Sequence, residues 1–99
     1  MTTENMREFS VLAEKRNYIA AAEALGTTQA SLSRHIMAME EELGFKLFER
    51  NTRNVELTLY GLRFLYFAQE TVSLLRACDN ELSEAFYGKS EAKRGTVNG

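Results

Sequence analysis

The stretch AAEALGTTQASLSRHIMAMEEELG, Ala21 to Gly44, decides how this chain folds. Its opening belongs to a short alanine-rich helix, Ile19 to Leu25, in which Ala21 and Ala22 are small enough to let another helix approach closely. Gly26 ends that helix, because glycine takes a positive φ without a Cβ clash. Thr28 is placed to cap the next one, its hydroxyl oxygen accepting an orphan N–H of the first turn. Leu32, Ile36, Met39 and Leu43 then fall at i, i+4, i+7 and i+11, one face of a helix that Gly44 stops. Two short helices joined by a glycine-containing turn of about three or four residues are the helix-turn-helix signature.

Inside this stretch, TTQASLSRHI carries five hydroxyl or amide side chains, one arginine and one histidine, and no acid. With Leu32 and Ile36 packed inward, Gln29, Ser33 and Arg34 point away, near the helix N-terminus. Glutamine can bond adenine at two points, arginine can bond guanine, and serine can serve either. Short uncharged groups let a helix lie close to base edges, and the exposed N–H groups of its first turn favour phosphate. Serine and threonine in a first turn also act as caps and nothing more, and any one of these residues alone is equally well explained that way. The combination with the alanine helix and the glycine turn favours the reading face.

Working outward, Met6, Phe9, Leu12 and Ala13 recur at helical spacing among Glu4, Arg7, Glu8 and Glu14, which predicts a first helix over about residues 4–15. Lys15, Arg16 and Asn17 break it. After Gly44 the period shortens. FKLFER and VELTL alternate around NTRN, where Asn51 and Asn54 tolerate turn conformations, so residues 48–50 are expected to pair with 55–57 as a two-stranded wing. Arg50 and Arg53 flank it, placed to grip phosphate or enter a minor groove. Thr58 can cap a long last helix whose apolar positions Leu65, Ala68, Val72, Leu75, Leu82 and Phe86 follow a three-four alternation broken at Asp79. Gly88 ends it, and KSEAKRGTVNG reads as linker. The expected organisation is a mainly α winged helix-turn-helix over 1–58, a linker or dimerisation helix over 59–88, and a flexible segment over 89–99.

A small three-helix head covers only the start of a helix about 45 Å long. The remainder, with Leu75, Leu82 and Phe86, would expose an apolar strip unless paired, so a homodimer is expected. Two heads joined this way call for an interrupted inverted repeat.

Composition excludes several classes. No apolar run approaches the roughly 20 residues of a membrane span, and the polar N-terminus is no signal peptide. One cysteine cannot form an internal disulfide. Cys78 reads as a small buried hydrophobe rather than a redox sensor. His35 has no cysteine or histidine neighbour in sequence, so no metal and no cofactor are expected. Glu40, Glu41 and Glu42 read as a solvated face, and no nucleophile–base set suggests an enzyme. Tyr60, Phe64, Tyr66, Phe67 and Tyr87 read as packing. Net charge is −2, which argues against binding nucleic acid by bulk charge. The distribution matters more, because no acid occurs from Thr28 to Met39.

The segment AAEALGTTQASLSRHIMAMEEELGFKLFER resembles the N-terminal domain of LysR-type transcriptional regulators. The family's pattern falls on Ala21, Ala22, Leu25, Thr28, Gln29, Leu32, Ser33, Ile36, Met39, Glu40, Leu43, Gly44, Leu47, Phe48 and Arg50, and on Leu57, Thr58 and Gly61 further on. Only Met39 departs, keeping volume and apolarity. The likeness covers roughly the first ninety residues. It implies a bacterial, cytoplasmic regulator whose third helix reads the major groove of double-stranded DNA and whose long helix dimerises. Gln29 and Ser33 would read bases, with Arg34 beside them, and Ala30 would offer an apolar contact to a thymine methyl. Arg34, Thr28, Ser31, His35 and Arg50 would hold the backbone, and Arg53 would work from the wing.

Ile19 stands where the family usually has a capping serine or threonine, leaving that work to Asn17 or water. Ala20 replaces a basic residue and removes a phosphate contact, and Thr27 replaces an aliphatic one. The family's tetramer and its small-molecule effector belong to a C-terminal domain of two α/β lobes, absent from this sequence, so an excised fragment is expected. The competing expectation is a dimerising protein-interaction module without sequence-specific DNA binding, motivated by the acidic balance and by Ala20.

Overall fold

The computed structural model describes residues 1–50 and 54–88, with Tyr87 and Gly88 described by backbone alone. Arg53, the wing turn around it, the Tyr87 side chain and the segment 89–99 therefore lie outside the described residues. The order of elements is α1 (Thr3–Lys15), α2 (Tyr18–Leu25), α3 (Gln29–Leu43), β1 (Phe48–Arg50), β2 (Val55–Leu57), α4 (Leu59–Ser83) and a π-helical segment, Glu84–Gly88. This is the expected mainly α winged helix-turn-helix. The chain divides into two units, Met1–Gln69 and Glu70–Gly99, so the opening turns of α4 belong with the first.

Each helix of the first unit starts and stops where side-chain chemistry requires. Thr2 and Asn5 form a reciprocal capping box at α1. Arg16, in left-handed conformation at φ 57°, closes α1 and turns the chain. With Ile19 unable to cap α2, Asn17 does so, its Oδ1 accepting from the Ala20 N–H at 2.8 Å. Gly26 at φ 71° ends α2, Thr28 caps α3 by accepting from the Ser31 N–H, and Gly44 at φ 85° ends it.

α1, α2 and α3 enclose one core. Phe9, Leu12, Ala21, Leu32, Ile36, Met39 and Leu47 are each at most 2 % exposed. A side chain such as Leu32 or Ile36 contributes about 1.5–3 kcal/mol by leaving water. Phe9 packs against Phe48 of the wing and edge-on against Phe64 of α4, with ring centroids 5.3 and 5.0 Å away. Ala68 completes this core at 1 % exposure.

The wing is antiparallel, with Phe48 opposite Leu57, Glu49 opposite Glu56 and Arg50 opposite Val55, the expected register. Three polar ties fix it. The Val55 N–H donates to the Arg16 carbonyl, the Arg16 guanidinium pairs with Glu56 at 2.5 Å, and the Thr58 N–H donates to the Leu47 carbonyl. Thr58 also caps α4, accepting from the Gly61 N–H at 2.9 Å. Gly61 sits so close to the β1 entry that a Cβ there would overlap the Leu47 carbonyl oxygen, which explains the glycine without appeal to its φ.

Two acids contradict their surface-like sequence setting. Glu40 is not part of a solvated face: it is 9 % exposed, and its Oε2 accepts from the N–H groups of Leu47 (2.8 Å) and Phe48 (3.2 Å). These donors precede or begin a strand, and the Glu40 carboxylate is the acceptor that lets them be buried. Glu41 and Glu42 are exposed, as expected. Glu8, which reads as a polar spacer in α1, is 5 % exposed and accepts from Asn5.

Candidate nucleic-acid interface

The inward pull of Leu32, Ile36 and Met39 decides what the rest of α3 presents. At about 100° per residue, Ala30, Arg34 and Met37 stand opposite that stripe, with Gln29 and Ser33 at its flank. Gln29, Ala30, Arg34 and Met37 are exposed, and Ser33 and Ser31 are half-buried. Thr28 sits at the N-terminus, its oxygen committed to the cap and its hydroxyl proton still able to be donated. The structure thus brings Thr28, Gln29, Ala30, Ser31, Ser33 and Arg34 together over the first two turns. Arg34 donates to Ser31 Oγ at 3.3 Å, which leans its guanidinium toward the helix start.

Arg50 joins this surface from the wing. Its Nη2 donates to the Tyr18 hydroxyl at 3.1 Å and to Ser33 Oγ at 3.4 Å, and its guanidinium carbon lies 4.7 Å from the centre of the Tyr18 ring. Tyr18 is 8 % exposed, so one aromatic side chain is both core and platform. Its hydroxyl is raised above the usual pKa of 10.0. Burial is the main cause, the Arg50 charge and hydrogen bond pull the other way, and Glu40 adds to the rise. An open groove of about 740 Å³ continues past Arg34 and Met37 to Lys46. Lys46 lies 3.8 Å from Glu40 and is largely exposed.

His35 is placed differently from its neighbours. Its Nδ1 meets Glu8 Oε2 at 2.8 Å, which turns the ring toward α1 and leaves Nε2 as the nitrogen for any outside contact. Sequence reasoning missed Tyr18 and Glu8. A buried acid beside a histidine 27 residues away leaves no local signal, and Tyr18 precedes the expected start of the alanine-rich helix at Ile19.

The apolar positions of α4 separate into two groups. Ala68, expected in a dimer seam, is instead buried in the core of the first unit, because its methyl fits where the helix meets that core. Leu65 also packs there, half-buried, and Val72 is half-buried. Leu75, Leu82 and Phe86 are exposed, as is Leu74. Cys78 is exposed too, not the buried hydrophobe expected from its position beside the stripe. Phe64 packs as expected, whereas Tyr60, Tyr66 and Phe67 are more than half exposed. Tyr60 stacks on Phe45 at 4.9 Å, and Tyr66 meets Phe67 edge-on at 5.2 Å. Leu59 and Leu62 are further exposed apolar side chains at the start of α4 that periodicity did not assign.

Among the described residues no group of three His, Cys, Asp or Glu side chains could hold a metal ion. No helix among them is long and apolar enough to cross a membrane.

Comparison with known proteins gives a consistent result. Residues 3–62 match the family described as bacterial regulatory helix-turn-helix protein, lysR family. A probable hydrogen peroxide-inducible genes activator of Mycobacterium avium is 45% identical over 71 residues, covering 72% of this chain and 23% of that protein. An uncharacterized HTH-type transcriptional regulator of Escherichia coli (strain K12), YbhD, is 46% identical over 68 residues, covering 69% and 22%. The chain therefore spans under a quarter of the length of these two curated relatives. Among solved structures, the crystal structure of a CbnR_DBD-DNA complex superposes with TM-score 0.79 at 35% identity, covering 86% of this chain and 99% of that one. Vibrio fischeri DarR in complex with DNA superposes with TM-score 0.81 at 30% identity, covering 86% and 29%.

Proposed function

The chain belongs to the lysR family of bacterial regulatory helix-turn-helix proteins and carries its DNA-binding domain, and from that premise we propose that it binds double-stranded DNA sequence-specifically as part of a transcription regulator. The observation that carries this reading is the open side of α3, where Gln29, Ser33 and Arg34 stand together beside Arg50. Gln29, Ala30, Ser33 and Arg34 read base edges in the major groove. Thr28, Ser31, His35 through Nε2, and Arg50 hold phosphates, and Arg53 works from the wing.

The protein acts as a homodimer through Val72, Leu75, Leu82 and Phe86, so each operator is an interrupted inverted repeat. The exposure of Leu75, Leu82 and Phe86 supports this, since a strip of that kind in water favours a partner. Residues 1–58 serve as the reading head, 59–88 as the linker and dimerisation helix, and 89–99 as a linker. The regulator works in the cytoplasm and is not an enzyme.

Selection of preferred sites from a random DNA pool tests the reading. Recovery of one dyad-symmetric sequence is the expected result. Recovery of no preferred sequence, even at low salt, leaves a dimerising protein-interaction module as the better account.

A further inference from the structure

Serine is ambiguous as a base reader, because its hydroxyl both donates and accepts. Here one side of that hydroxyl is already engaged. Arg50 Nη2 lies 3.4 Å from Ser33 Oγ and donates to it, so a cation occupies one side of that oxygen. The same nitrogen donates to the Tyr18 hydroxyl at 3.1 Å, with the guanidinium over the Tyr18 ring. Tyr18 is held by the core, so the cation's position is set from beneath by a side chain that no sequence pattern assigned to the site. A positive charge beside Ser33 Oγ disfavours a second donor and favours an acceptor on the other side, toward which the hydroxyl proton turns.

We propose that Tyr18 is a positioning residue for DNA readout: it holds Arg50 against Ser33, which makes Ser33 a hydrogen-bond donor, so the base edge it meets presents an acceptor. In the major groove that acceptor is a purine N7, a guanine O6 or a thymine O4, and the amino groups of cytosine (N4) and adenine (N6) are disfavoured. This rests on the reading of α3 as a base-reading helix and adds the polarity of one contact to it.

The experiment uses the selected operator and the full chain. Ser33→Ala first maps the base step at which discrimination flattens. At that step the contacted acceptor is then deleted, by a 7-deazapurine, by 2-aminopurine in place of guanine for O6, or by a thymine analogue lacking O4. The intact protein is expected to lose about three- to tenfold in affinity, the range of one hydrogen bond, while Ser33→Ala is indifferent to the deletion. Tyr18→Phe keeps the ring and removes the hydroxyl. It is expected to lose most of the discrimination at the Ser33 step and at no other, with the salt dependence of binding unchanged. Arg50→Lys, which keeps the charge but loses the planar guanidinium that lies over the Tyr18 ring while its Nη2 reaches Ser33, is expected to do the same, and it covers the case in which Tyr18→Phe does not fold.

A requirement for cytosine N4 or adenine N6 at the mapped step overturns the proposal. So does full discrimination there in both Tyr18→Phe and Arg50→Lys. If no operator is selected at all, the reading of α3 fails and takes this one with it, whereas a selected operator with an indifferent Tyr18 sinks the proposal alone.

Discussion

The two long sides of α3 follow opposite rules. On the inner side Leu32, Ile36 and Met39 are at most 2 % exposed, and their shapes are dictated by what surrounds them. On the outer side Gln29, Ala30, Arg34 and Met37 face solvent, and nothing in the fold demands those particular residues. A helix needs only its stripe to be placed, so the face opposite is available for recognition. Stability and readout are therefore separable here: a substitution on one side should move one property and leave the other.

The largest effect expected is on the inner side. Leu32→Ala leaves a cavity in the middle of the three-helix core and is expected to cost about 3–5 kcal/mol, visible as a lower denaturant midpoint. If the head lost less than about 1 kcal/mol, Leu32 would not be the pin it is taken to be.

Glu40 sharpens the comparison, because it is a charged residue obeying the inner side's rule. Glu40→Ala strands the Leu47 and Phe48 N–H groups and is expected to cost about 2–3 kcal/mol, against less than about 0.5 kcal/mol for Glu41→Ala next to it. Equal small losses from the two would restore Glu40 to the surface.

Leu75→Ala should behave unlike Leu32→Ala although the chemistry is identical. Leu75 is half exposed in the single chain, so thermal unfolding of the monomer should barely change. Self-association, measured by sedimentation equilibrium, should weaken by about 1–2 kcal/mol. An unchanged association constant would remove Leu75 from the dimer surface.

The smallest effect is at Tyr18. Its folded pKa lies above the unfolded value near 10, so it binds its proton more tightly in the native state. The stability this gives is complete below pH 10 and falls away as pH rises through the folded value. Urea midpoints measured from pH 9 to 11 should fall less steeply for Tyr18→Phe than for the intact chain, and equal slopes would count against a buried hydroxyl.

Much of this was legible in the sequence because it rests on local signals. Gly26, Thr28 and Gly44 mark helix ends by backbone and capping chemistry, and the stripe from Leu32 to Leu43 marks an inner face by spacing alone. The wing register followed from the alternation around NTRN. The remainder depends on contacts between residues far apart in the chain. Glu40 and Glu8 look solvated, since no periodicity shows that an acid will meet two strand N–H groups or a histidine from another helix. Ala68 and Leu75 share one stripe, yet only the folded head decides that the first lies in its core. Cys78 looked buried for the same reason and is exposed. Tyr18 carries no local signal at all, because only the wing brings Arg50 over its ring.

Base reading by α3 stands or falls with Gln29. Binding of the intact chain and of Gln29→Ala is titrated in parallel against the selected operator, against that operator changed at one base step, and against random DNA. The account predicts that Gln29→Ala loses about 1–3 kcal/mol on the operator, stops distinguishing the base at one step of each half-site, and keeps its affinity for random DNA. An equal loss on operator and random DNA would contradict it, because Gln29 would then hold the helix on DNA without reading it.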